Sequence, residues 1–158
     1  LFEVFRGDSH LHLAMELCDG GELLDLLAER GQLSEQTGSA YALDILGAVA
    51  YLHSRHVVHR DIKPENFLLQ QKIHGEDHHP PIKMIDFGTA KRFIPGSSRL
   101  MQTRTGTVNY MSPQVLKGSY DEKCDTWSCG VLIYVLLSGV FPFNGGEHVD
   151  TIKQIMGA

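Results

Sequence analysis

His59-Arg60-Asp61-Ile62-Lys63-Pro64-Glu65-Asn66 is the densest polar cluster in the sequence, and it lies between a stretch patterned as a buried helix and a short apolar run, Phe67-Leu68-Leu69. Asp61 offers a carboxylate to orient a hydroxyl and accept its proton, Lys63 a cation for developing phosphoryl charge, and Asn66 a carbonyl oxygen suited to Mg2+. A hard divalent ion calls for a second oxygen ligand nearby. Asp86-Phe87-Gly88 supplies it, a carboxylate directly after the strand-like run 83–85, with a glycine that lets the chain change direction.

Upstream, Tyr41, Ile45, Val49 and Leu52 recur at spacings of four, four and three, the stripe of an amphipathic helix, and Ser34 with Glu35 supplies its N-cap and acidic first turn. Leu23, Leu24, Leu26 and Leu27 fall on one face of an earlier helix, which Arg30 and then Gly31 close with a cationic last turn and a stop. The opening residues read as a hairpin of two extended runs, 2–5 and 10–17, joined at Arg6-Gly7-Asp8-Ser9, whose glycine and short polar side chains suit a tight turn. Downstream the period changes. Short apolar pieces at 57–58, 67–69 and 82–85, separated by polar loops and one Pro-Pro step, are expected to be small strands. Residues 86–114 are rich in Gly, Ser, Thr and Arg with little periodicity, and a loop of that length is expected to carry function. Residues 125–138 predict a helix apolar nearly all round, and 149–156 the start of a more amphipathic one. The fold class expected is α+β, with no internal repeat or domain-scale linker.

The 158 residues, 42% hydrophobic and 21% charged, fit one soluble globular domain and exclude a disordered or fibrous chain. A net charge of −5 offers no basic field to a phosphate backbone or an anionic bilayer, so no nucleic-acid partner is expected. Residues 126–146 carry no charge, but their strongly apolar part, 131–137, is far short of the ~20 residues that span a membrane. Cys18, Cys124 and Cys129 form no CxxC pair, and an odd count closes no intramolecular framework, which points to a reducing, cytoplasmic setting.

Four motifs in order carry a resemblance that spans nearly the whole chain. The cluster at 59–66, then Asp86-Phe87-Gly88, then Gly106-Thr107-Val108-Asn109-Tyr110-Met111-Ser112-Pro113-Gln114, then Asp125-Thr126-Trp127-Ser128-Cys129-Gly130 resemble a eukaryotic protein kinase. The resemblance implies a protein-kinase-like fold, mostly the helical C-terminal lobe with the last hairpin and hinge of the N-terminal lobe. Residues 1–17 would be the end of the N-lobe and the start of the hinge, and 18–158 the C-lobe up to the start of its later helices. It implies a transferase that moves the γ-phosphoryl group of Mg-ATP to a protein hydroxyl, with ATP and Mg2+ as cofactors. Asp61 is then similar to the catalytic base, Lys63 to the phosphoryl-contacting lysine of serine/threonine kinases, and Asn66 with Asp86 to the metal ligands. The resemblance places Met15 at the gatekeeper, with the Glu16 carbonyl and Cys18 amide facing adenine and Glu22 near the ribose or substrate, and implies that Leu68 floors the adenine pocket. His59 and Asp125 resemble the pair that braces the catalytic loop, and Thr107 the residue that holds it while substrate docks. Lys63 with Thr107 implies serine or threonine in the protein substrate.

Finer texture, in Glu65-Asn66-Phe67-Leu68-Leu69, Ser112-Pro113-Gln114-Val115-Leu116 and Tyr120-Asp121-Glu122-Lys123-Cys124-Asp125, is similar to calcium-dependent protein kinases of plants and protists. That likeness implies a calmodulin-like regulatory segment beyond Ala158, because no EF-hand loop pattern occurs within the chain. Against the family pattern, the Gly-rich phosphate loop, the strand lysine that grips the phosphates and its helix glutamate are missing, and no lysine precedes Lys63. Gln114 stands where the family's Ala-Pro-Glu motif has its glutamate, and the final helices with the arginine partner are missing as well. The expectation is a kinase domain truncated at both ends, inactive or nearly so as this polypeptide alone. The alternative from another class is a pseudokinase or nucleotide-binding scaffold; the presence of Asp61, Asn66 and Asp86 together favours the enzyme.

Thr103 stands three residues before Gly106, and Arg60, next to Asp61, is placed to pair with a phosphate there; the alternative is an unmodified loop threonine. His53, His56 and His59 recur every three residues and His74, His78 and His79 crowd the 70–81 insertion, but no cysteine or carboxylate completes a recognised ligand spacing. Met15, Leu17 and Leu68 would look the same as core residues, so their adenine contact rests on the resemblance. Tyr41, Ile45, Val49 and Trp127 need no role beyond packing.

Overall fold

Local capping signals set where the helices begin and end. In the computed structural model, which describes residues 1–75, 79–97 and 100–158, helix α1 (Leu23–Arg30) opens with a reciprocal capping box between Glu22 and Asp25. It stops at Gly31, whose φ of 75° lies in the left-handed region and whose N–H donates to the Leu27 carbonyl. Helix α2 (Glu35–Ser54) starts at Ser34, whose hydroxyl oxygen accepts the Thr37 N–H at 3.2 Å. Within α1 the buried residues are Leu23, Leu26 and Leu27, while Leu24 is 39% exposed. That corrects the expected four-leucine face: successive residues turn about 100°, so Leu24 points past the edge of the covered stripe.

The three small strands expected between 57 and 85 form as β3 (Val57–Val58), β4 (Phe67–Leu69) and β5 (Ile82–Met84), after the opening hairpin of β1 (Glu3–Arg6) and β2 (Leu11–Ala14). In the hairpin Val4 faces Leu13, and the turn closes with the Gly7 N–H on the His10 carbonyl. β4 runs antiparallel to β5 with Leu68 opposite Lys83. β3 pairs instead with β6 (Lys91–Arg92), a two-residue strand inside the stretch read as loop. A 3-10 turn at Val108–Tyr110 and helix α3 (Pro113–Lys117), capped by the Ser112 hydroxyl, interrupt the same stretch near its end. Pieces this short have no period to read in sequence, and partners far along the chain hold them. His78 lies outside the described residues.

Helix α4 (Lys123–Ser138) runs through the core, with Leu132 and Leu136 fully buried and the Leu33 N–H donating to the Leu136 carbonyl at 2.8 Å. Its neighbours in the larger apolar cluster are the three α1 leucines, Tyr41, Ile45 and Val49 of α2, and Ile62, Phe67 and Leu69. Each such Leu or Ile contributes about 1.5–3 kcal/mol on leaving water. The helix is not covered all round as its composition predicts: Tyr134 and Leu137 remain exposed. A smaller cluster of Val58, Met101, Val115, Tyr120 and Cys124 joins β3 to α3 and α4. Helix α5 (His148–Gly157) follows, burying Thr151 and Ile155. Among the described residues no helix is long and apolar enough to cross a membrane.

Candidate active site

The site is built upward from a buried carboxylate on α4. Asp125 is fully buried, and its oxygens accept the His59 N–H at 2.8 Å, the Arg60 N–H at 2.8 Å and His53 Nε2 at 2.9 Å. A carboxylate only accepts, so His53 is the donor. Arg60 has φ of 72°, a left-handed conformation that costs a non-glycine residue of order 1–3 kcal/mol. The paired bonds from successive backbone N–H groups to one carboxylate offset that strain and fix the backbone that carries the next residue, Asp61. His59, also fully buried, donates Nε2 to the Ile85 carbonyl at 3.0 Å, and its own carbonyl accepts the Thr89 hydroxyl at 2.8 Å. The histidine thereby ties the Asp61 segment to the strand that ends before Asp86.

Around Asp61 three side chains meet. The Thr107 hydroxyl donates to Asp61 Oδ1 at 3.0 Å, Lys63 Nζ lies 3.2 Å from Asp61 Oδ2, and the same ammonium donates to Thr107 Oγ1 at 3.1 Å. Asn66, at the end of a 3-10 turn started by Pro64, donates Nδ2 to the Asp61 carbonyl at 2.8 Å and reaches Asp61 Oδ2 at 3.4 Å. Gly106 makes the approach of Thr107 feasible. Its φ is 109°, and a Cβ there would lie 2.6 Å from the Arg60 carbonyl oxygen. Asp86 has φ of 58°, and its Oδ1 accepts the Gly88 N–H at 3.1 Å. It follows Ile85, whose N–H donates to the Asn66 backbone carbonyl at 2.9 Å, so Asn66 and Asp86 sit at adjoining strand ends.

This donor set fits Mg2+. With the Asn66 amide nitrogen committed to Asp61, its carbonyl oxygen is the free end, and Asp86 adds a carboxylate. No group of three or more His, Cys, Asp or Glu suited to a metal occurs among the described residues. Mg2+ is commonly bound by one or two carboxylates with waters and substrate phosphates completing its shell, so a pair of oxygens suffices. The periodic histidines do not converge: His53 goes to Asp125, His56 packs edge-on to Phe93, and His59 goes to Ile85.

Residues 20–22 run along β4, with the Gly20 N–H on the Leu69 carbonyl at 3.1 Å, the Leu69 N–H on the Gly21 carbonyl at 2.9 Å, and a bridge between Glu22 and Leu68. Strand alternation buries Phe67 and Leu69 and turns Leu68 to the other face, beside Glu22. Glu16 Oε1 accepts Gln70 Nε2 at 2.7 Å and Oε2 lies 3.3 Å from Lys83 Nζ. The Gln70 bond above all, with Lys83 adding to it, holds the Glu16 carboxyl below its usual value. Desolvation first, and the Glu16 charge second, push the partly buried Cys18 thiol up. Met15 is 61% exposed at the end of β2 and is not part of the polar cluster. Thr103 is exposed, and its carbonyl accepts the Tyr120 hydroxyl at 2.6 Å. The Arg60 guanidinium donates Nε to the Thr89 carbonyl at 2.6 Å and Nη1 to the Tyr120 hydroxyl at 3.3 Å, so neutral oxygens hold it.

Sequence reasoning gave His53, Thr89 and Tyr120 no place in the site. His53 entered only as one of the periodic histidines and Tyr120 only as the first residue of the texture at 120–125; the position of its bonding partner is what gives each its role.

Comparison with known proteins places these residues in context. The protein kinase domain family model matches residues 1–158. The chain is 43% identical over 155 residues to calcium-dependent protein kinase 4 of Plasmodium falciparum (isolate 3D7), covering 98% of the chain and 28% of that relative. It is 41% identical over 155 residues to calcium-dependent protein kinase 5 of Plasmodium berghei (strain Anka), covering 98% of the chain and 26% of the relative. It is also 43% identical over 159 residues to myosin light chain kinase A of Dictyostelium discoideum, covering 100% of the chain and 52% of the relative. The chain thus spans about a quarter to a half of the length of these curated relatives.

Proposed function

Since the chain belongs to the protein kinase domain family, we propose that the protein carrying it is a serine/threonine protein kinase that transfers the γ-phosphoryl group of Mg-ATP to a protein hydroxyl. The observation that carries this reading is the contact of Asp61 with Lys63, Thr107 and Asn66. In it the Asp61 carboxylate orients the substrate hydroxyl and takes its proton, held at the correct angle by the Asn66 amide and the Thr107 hydroxyl. Lys63 stands beside that carboxylate, where its ammonium offsets charge on the phosphoryl oxygens. Asn66 Oδ1 and the Asp86 carboxylate hold Mg2+, which when bound neutralises charge on the phosphates. Met15, the Glu16 carbonyl, the Cys18 amide and Leu68 receive adenine, and Glu22 serves the ribose or the peptide.

The Lys63 to Thr107 bond supports serine or threonine as acceptor, as the family resemblance implies. Similarity to calcium-dependent kinases supports regulation by a calmodulin-like segment elsewhere in the protein. Free thiols at Cys18, Cys124 and Cys129 fit a reducing, cytoplasmic setting, with burial pushing Cys129 up to about 12.

The test is Asp61→Asn in the whole protein. Loss of the base is expected to lower phosphoryl transfer to a serine peptide by about 10²–10⁴-fold while Mg-ATP binding is unchanged. Unaltered turnover would remove Asp61 from the chemistry, and a wild-type protein that binds ATP without transfer would be a scaffold instead.

A further inference from the structure

Tyr120 is 2% exposed and belongs to the smaller apolar cluster, yet its hydroxyl bridges two segments that are remote in sequence. It donates to the Thr103 carbonyl at 2.6 Å and accepts from Arg60 Nη1 at 3.3 Å. The Tyr120 backbone pairs with Met101 in both directions, at 2.8 and 3.1 Å, so the ring is fixed on the strand-like edge it serves. Arg60 precedes Asp61, and its carbonyl is the atom that Gly106 approaches too closely to carry a side chain. Arg60, Tyr120, Thr103 and Gly106 therefore close a ring of contacts around the segment that delivers Thr107 to Asp61.

Resting on the phosphoryl-transfer reading, we infer that Tyr120 is a positioning residue that docks segment 101–107 on Arg60 and sets Thr107 against Asp61 with no phosphate on Thr103. The guanidinium that a phosphate would seek is already engaged by the Thr89 carbonyl and the Tyr120 phenol. Both acceptors are neutral. These bonds use Nε and one N–H of Nη1 out of five donors, so a phosphate on Thr103 would pair with the others and reinforce the phenol bridge without having to replace it. A phosphate there would then strengthen an anchor that already exists, and an unmodified Thr103 is compatible with full activity.

The test uses the full-length protein and three variants, read by steady-state kinetics and by amide hydrogen exchange. Tyr120→Phe is expected to raise KM for a serine peptide about 5-fold, the change one neutral hydrogen bond brings, and to leave KM for Mg-ATP unchanged. Exchange of the 101–106 amides should quicken in the same variant. Thr103→Ala is expected to stay within about 2-fold of wild type, since only the backbone of Thr103 is used. Adding Thr103→Glu to Tyr120→Phe should return the peptide KM toward wild type, because the carboxylate takes up the freed Arg60 Nη1. A Phe variant with wild-type peptide KM and wild-type exchange overturns the inference. So does a fall in thermal stability that raises both KM values together without rescue, which would make Tyr120 a packing residue alone. Wild-type protein with no transfer at all defeats the phosphoryl-transfer reading instead, and the exchange comparison, which needs no turnover, still decides whether Tyr120 docks the segment.

Discussion

Around Asp61, bonds arrive from α4, from the strand end before Asp86, from the 3-10 turn at Asn66 and from Thr107, and the carboxylate that organises them is fully buried. In the β1–β2 hairpin the backbone bonds are local, from Phe2 to Ala14 and from Gly7 to His10, and Val4, Phe5, Leu11 and Leu13 are exposed. Among the described residues, its polar tie to the remainder runs through a surface carboxylate just after β2, Glu16, to Gln70 and Lys83. Two regions that sequence marks with equal clarity thus hold their shape by different physics. The first depends on desolvated polar bonds between remote segments, in which each lost partner strands another; the second depends on register and an exposed, solvent-screened tie.

Asp125→Ala tests the first region hardest. Two backbone N–H groups and His53 lose their acceptor together, and a loss of about 3–5 kcal/mol is expected in denaturant unfolding. A shift below about 1 kcal/mol would mean that water replaces the carboxylate without strain. Gly106→Ala comes next, since a methyl group 2.6 Å from the Arg60 carbonyl and a φ of 109° force the segment away. About 1–3 kcal/mol of destabilisation is expected, with transfer to peptide falling further than ATP affinity. Equal losses in both would separate Gly106 from the placement of Thr107.

The hairpin should answer differently. Leu13→Ser, at a half-exposed position opposite Val4, is expected to change stability by less than about 0.5 kcal/mol. A loss several times larger in the whole protein would show that another surface covers this face there. The smallest effect is that of pH on Glu16. The folded carboxyl titrates below its unfolded value, chiefly through the Gln70 bond, so its contribution is complete above the unfolded value and is lost as pH falls through the lowered one. Amide exchange at 15–17 should quicken on acidification through that window, and Gln70→Ala should move the window up. A flat exchange profile would remove Glu16 as the tie.

Helix α2 and the cluster at 59–66 were legible in the chain because periodicity, caps and reactive side chains are properties of neighbouring residues. Strand β6 was not, since two residues have no period and Lys91 and Arg92 become a strand only against Val57 and Val58. The leucine face of α1 was legible to within one residue, Leu24, whose exposure depends on where the covering elements stop. Tyr134 and Leu137 tell the same about α4: composition reports how apolar a helix is, and packing decides which side is covered.

For the candidate site, the sequence by itself determined which side chains have chemistry to offer, Asp61, Lys63, Asn66 and Asp86, and the family resemblance added Thr107. Tertiary structure decided that Lys63, Thr107 and Asn66 converge on one carboxylate, that Arg60 faces neutral oxygens, and that His53, Thr89 and Tyr120 hold the frame. The division follows from range. A side chain's reactivity and a helix's stripe are written within a few residues, whereas a hydrogen bond between Arg60 and Tyr120 exists only after the apolar core has brought their segments together.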